Sequence, residues 1–130
     1  MTAPSGYRSV LSRVRHLGSA KDGVHHWWMQ RLTSVALALL TLWFVPSVVA
    51  LVGADRAAVL AWLGSPATVA LLALTIVAVF HHAQLGMQVV IDDYVPDEDW
   101  RLLAQIVVKL AAVLMAAAAL SALAFAAFKG

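Results

Sequence analysis

Hydrophobic and polar positions in this chain fall into blocks rather than alternating. Residues 32–52 contain no charged side chain in 21 positions. A second apolar run extends from about 66 to 91, and its only ionisable residues are His81 and His82. A third, from 102 to about 128, carries one charge, Lys109. A hydrocarbon layer of ~30 Å needs roughly 20 apolar helical residues to cross it, and all three runs reach that length. The pattern predicts an all-α integral membrane protein with transmembrane helices at about 32–52, 66–91 and 102–128. Residues 1–130 read as a single membrane domain, without an internal repeat or a low-complexity linker.

The connections are short. Residues 53–56 close the first span, and the stretch through Trp62, Gly64 and Pro66 predicts a short interfacial segment leading into the second. Pro96 disfavours helix at Val95, and Asp97 or Asp99 can cap the third span. Trp27, Trp28, Trp62 and Trp100 fall at predicted interfaces, where indoles anchor at headgroup level. These tryptophans need no further role.

Composition agrees with the pattern. The chain is 62% hydrophobic and 12% charged, with a mean hydropathy of +0.84, far from the profile of a soluble domain. The formal net charge of +2 is unevenly placed. Arg8, Arg13, Arg15, Lys21 and Arg31 precede the first span, and Arg101 lies between the second and third. The opposite side has only Arg56 and Lys129. That asymmetry predicts a cytoplasmic N-terminal segment of about residues 1–30 and a cytoplasmic second loop. It is a topogenic signal, with no basic patch of the kind that binds nucleic acid. The first apolar run is too long for a signal-peptide core and begins too far into the chain. An Arg- and Ser-containing, acid-poor N-terminal segment would also suit a transit peptide. The Ala-, Val- and Leu-rich spans fit a bacterial inner membrane better. There is no cysteine, so any metal must be held by histidine or carboxylate.

An ionisable side chain inside a membrane helix is costly and marks a site by default. His82 lies 11 residues before Asp93, roughly 17 Å at 1.5 Å per residue, which places it deep in the second span. A structural histidine there would need a hydrogen-bond partner, for which the second span offers Gln84, Gln88 or Thr75. Axial ligation of a haem iron is the sharper alternative, because neutral imidazole ligates iron well and a macrocycle fills space between helices. Gly86, one turn on, removes a side chain from the same face, for a flat ring or for ordinary helix packing. His81 points about 100° away and is the weaker ligand. Asp93 and Tyr94 stand where the span leaves the hydrocarbon. Asp92 there reads as part of a solvated helix end. The Tyr94 phenol could donate to a carbonyl such as that of a quinone headgroup, or serve as an interfacial belt residue. Arg31 could snorkel, or pair with a carboxylate such as a haem propionate, with Thr33 and Ser34 adding hydroxyls. Lys109 can snorkel to the surface and is assigned no role.

Together these residues resemble a known family. His82-xxx-Gly86, the run Gln88-Val-Val-Ile-Asp-Asp93-Tyr94-Val95, and Gly18-Ser19-Ala20-Lys21 followed by His26-Trp27 and Gln30-Arg31-Leu32-Thr33 are similar to the smaller hydrophobic membrane anchor of succinate dehydrogenase, respiratory complex II. The likeness covers most of residues 18–100, while the third span contributes only hydrophobicity. It implies that the chain pairs with a second hydrophobic anchor, a cytochrome b subunit, around one haem b. His82 would be one axial ligand, and therefore the metal-binding residue, with the other supplied by the partner. Arg31 would lie near the haem propionates. Tyr94 would hydrogen-bond ubiquinone, with Asp93 supporting that site. A flavoprotein subunit and an iron–sulfur subunit would dock on the cytoplasmic face. The chain alone has no flavin or dicarboxylate site and no catalytic residue, so it is expected to be a non-catalytic subunit in contact with membrane lipid. The rivals are a haem-free quinone anchor of a fumarate reductase-like complex and a non-redox assembly or transport subunit. Three short-looped helices offer no inverted repeat or broken helix for transport.

Overall fold

The computed structural model describes residues 18–130, with side chains from Gly23 onward. Arg8, Arg13 and Arg15 lie outside the described residues, as does the side chain of Lys21. The described chain consists of four helices: α1 (Gly18–Ala50), α2 (Arg56–Gly64), α3 (Pro66–Tyr94) and α4 (Glu98–Lys129). Three of them are long and apolar enough to cross a membrane, over Gly23–Ala50, Pro66–Tyr94 and Glu98–Lys129. This makes the chain a multi-pass membrane protein. Only helices satisfy every backbone group within one segment, which the hydrocarbon layer demands.

The helices outrun the apolar blocks. Helix α1 begins 14 residues before Leu32 (32 − 18), so much of the polar segment ahead of the first span continues the helical ladder. Pro46 interrupts that ladder inside α1. Its missing N–H leaves the Leu42 carbonyl without its i+4 donor, and the neighbouring Trp43 carbonyl accepts a hydrogen bond from the Ser47 hydroxyl at 2.7 Å. Beyond Ala50 the chain reverses through Gly53, whose φ of +81° lies in the left-handed region that glycine occupies without steric cost.

The interfacial segment is a nine-residue helix, α2, capped by Asp55, whose carboxylate accepts from the Ala58 N–H at 2.8 Å. Pro66 then opens α3 at a position where its missing N–H costs nothing. Of the two candidate caps for α4, Asp97 takes the role, accepting from the N–H groups of Asp99 and Trp100 at 3.1 Å each.

Helix α3 is central and packs against both α1 and α4, while α2 packs against α3 and α4. Among the described residues α1 and α4 do not pack on each other, which leaves a groove between them floored by α3. At the far end the rings of Trp43 and Trp62 stack at 6.1 Å and 19°, pinning α2 to α1. Few residues are buried within the chain itself. Three of them are polar, Thr33, Thr68 and Gln84, beside Leu40, Leu85, Ile91, Ala112 and Leu123. Two side-chain hydrogen bonds join the long helices among the described residues, Thr33 with His82 and Gln105 with Asp92, while Leu42, Leu114 and their like face outward.

Candidate functional site

The α1–α3 contact sets the register of the site. Thr33 on α1 and His82 on α3 meet side chain to side chain, with Thr33 Oγ1 2.9 Å from His82 Nδ1. Eleven residues further along α3, Asp93 shares a cavity of about 380 Å³ with Gly23 and His26 of α1, together with Val89 and Asp92. Ten residues separate Gly23 from Thr33, so the two helices run antiparallel, level with each other at both points. The partner of the intramembrane histidine thus comes from α1, 49 residues away in sequence, and not from Gln84, Gln88 or Thr75 on its own helix.

Arg31 is fixed by the same register. It lies two residues from Thr33, about 3 Å along the axis, and so stands close to the level of His82 rather than that of Tyr94. Its guanidinium reaches back over the Trp27 ring at 5.4 Å, following the N-terminal tilt of helical side chains. A count of about 20 residues from the opposite end of the span, Ala50, arrives at Arg31, the length that crosses ~30 Å. Helix α3, with 29 residues, is about 43 Å long and must extend beyond the hydrocarbon. His82 by this count lies nearer the edge than the distance from Asp93 alone implies.

Gly86 follows His82 by one turn. A Cβ built there would meet nothing within 4 Å among the described residues, so none of the described helices packs on Gly86. Packing within the chain does not account for the glycine, and the space beside His82 on that face is open.

His81 faces differently. It lines the groove between α1 and α4 in a cavity of about 690 Å³, together with His25 and His26 from α1, Gln84 and Gln88 from α3, and Gln105 and Lys109 from α4. Its Nε2 is buried and has no hydrogen-bond partner among the described residues, and the same is true of His26 Nε2 and Gln30 Oε1. These orphaned atoms were not foreseen from sequence, where His81 ranked below its neighbour and His25, His26 and Gln30 carried no separate role.

Asp93 and Tyr94 end α3 as exposed side chains, Tyr94 being 80% accessible. Asp92, read from sequence as part of a solvated helix end, accepts a hydrogen bond from Gln105 Nε2 of α4. Among the described residues no group of three or more His, Cys, Asp or Glu side chains could hold a metal ion. A lone imidazole with an open face suits iron already held by a macrocycle, and not a bare ion needing several protein ligands.

Residues 5–124 match the model of the succinate dehydrogenase/fumarate reductase transmembrane subunit family. The chain belongs to that family. It is 35% identical over 108 residues to a succinate dehydrogenase hydrophobic membrane anchor subunit of Rickettsia bellii, covering 83% of this chain and 86% of the relative. A subunit of the same name from Paracoccus denitrificans is 32% identical over 88 residues, 68% of each chain. The succinate dehydrogenase membrane anchor subunit of Reclinomonas americana is 27% identical over 107 residues, covering 80% of this chain and 89% of the relative. The three apolar helices and the absence of a strand among the described residues fit an anchor. The chain serves as the membrane anchor of succinate dehydrogenase, a non-catalytic part of that complex.

Proposed function

We propose that this anchor binds one haem b between itself and a second hydrophobic anchor, with His82 as its own axial ligand, and contributes Tyr94 to the site where ubiquinone is reduced. The observation that carries the reading is the pairing of His82, engaged through Nδ1 by Thr33, with an open face at Gly86 one turn away. When bound, the haem supplies one-electron redox capacity inside the membrane.

The residues of this chain have separate tasks. His82 presents an imidazole nitrogen at the level of Arg31, whose guanidinium is free of carboxylate partners among the described residues and suits a propionate. Tyr94, exposed at the end of α3, donates its phenol hydrogen to a quinone carbonyl. That bond strengthens as charge develops on the carbonyl oxygen. Asp93 beside it accepts hydrogen bonds and keeps the aqueous end of the site polar. Electrons reach the quinone from succinate through the flavoprotein and iron–sulfur subunits. These dock on the cytoplasmic side of a bacterial inner membrane, the side of the N-terminal segment and the Val95–Asp97 turn.

A second reading of the ligand has its own support. Among the described residues His81 Nε2 is buried without a partner, and the ring lines the cavity at the groove between α1 and α4, so a group bound in that groove would find a nitrogen free to engage it.

The complex drawn from native membranes through a tag on this chain is expected to contain flavoprotein and iron–sulfur subunits and one haem b per complex. Copurification of those subunits without haem would leave a haem-free quinone anchor. Their absence would contradict the assembly.

A further inference from the structure

The geometry points to Thr33 as the positioning residue for the His82 ring, fixing which imidazole nitrogen faces the haem iron. The inference rests on the haem reading above and concerns a contact within this chain. Thr33 is 7% exposed. Its hydroxyl has one hydrogen and three neighbours: Met29 O at 2.7 Å, Gln30 O at 3.1 Å and His82 Nδ1 at 2.9 Å. The shortest of these is to Met29 O, the i−4 carbonyl to which a helical threonine hydroxyl commonly donates, and we place the hydroxyl hydrogen there. With that assignment the oxygen is an acceptor toward His82, and Nδ1 carries the ring proton. A neutral imidazole protonated at Nδ1 leaves the Nε2 lone pair free.

This is the arrangement a metal-ligating histidine needs. An acceptor on the non-ligating N–H holds the ring orientation, selects the tautomer and makes the ligating nitrogen more basic. The acceptor here is braced in turn, because the bond to Met29 O locks the hydroxyl one helical turn back. A more basic imidazole stabilises ferric over ferrous iron, so Thr33 holds the haem potential lower than a ring without this bond would. Thr33 thereby joins two spans and tunes the group they hold.

Thr33→Val keeps the branched shape and deletes the hydroxyl, and Thr33→Ser keeps the hydroxyl and deletes a methyl. In the purified complex, Thr33→Val is expected to lose haem roughly tenfold more readily, the scale seen for such supporting bonds, and to shift the haem midpoint potential to a more positive value. Thr33→Ser should restore both. A Thr33→Val complex with wild-type haem retention and potential would overturn the proposal, as would a Thr33→Ser complex that behaves like Thr33→Val. Failure of Thr33→Val to assemble while His82→Ala assembles would assign the hydroxyl to helix packing and also overturn it. The underlying haem reading fails separately, if His82→Ala retains a full haem complement.

Discussion

The carboxylate of Asp92 accepts a hydrogen bond from the Gln105 side chain across the turn between α3 and α4. These residues are 13 positions apart, and the bond closes the acidic loop over Val95, Pro96 and Asp97. Tyr94 is inside that closed segment, so its position depends on a tie that it does not itself make. Gln105→Leu removes the donor and keeps the bulk. The site is exposed, so a loss of about 1 kcal/mol or less is expected, read as a small fall in the melting temperature of the purified complex. A drop typical of a core deletion would mean that the loop bears more of the fold than one bond.

Gly86 separates a packing role from a ligand role. A Cβ there meets nothing within 4 Å among the described residues, so Gly86→Val should leave the three helices intact apart from the slight helix penalty of a β-branched residue. Haem content of the purified complex is expected to fall severalfold. Unchanged haem with weakened association of the second anchor would assign the open face to a helix.

Tyr94→Phe deletes one hydroxyl and keeps the ring. A hydrogen bond worth about 1.4 kcal/mol in the reduction step corresponds to a tenfold rate loss. Succinate-driven quinone reduction should fall about tenfold, while succinate oxidation by an artificial dye acceptor and the haem spectrum stay as in the wild type. Equal loss in both assays would show damage to subunit docking instead.

Much of the fold was legible because a membrane simplifies the code. The apolar blocks locate the spans, and Pro66, Pro96 and Asp97 mark helix ends with local chemistry. The start of α1 was less visible, since residues 18–31 are polar enough to read as a solvated segment and are helical nonetheless. Within the site, His82, Gly86, Asp93 and Tyr94 stood out through their spacing along one helix. The Thr33 partner did not, because it depends on the register of α1 against α3, a contact over 49 positions that no local pattern encodes. The same holds for Asp92 with Gln105 and for the orphaned nitrogen of His81. Sequence ranks His81 and His82 by their spacing to Gly86, and the helix packing gives each ring a different neighbourhood.

That difference makes the choice of ligand the sharpest test of the account. Dithionite-reduced minus oxidised spectra should be recorded on complexes purified through a tag on this chain, from wild type, His82→Ala and His81→Ala. The account predicts a b-type haem signal in wild type that disappears in His82→Ala and persists in His81→Ala. A signal that persists in His82→Ala and disappears in His81→Ala would contradict it and move the haem to the groove side of α3.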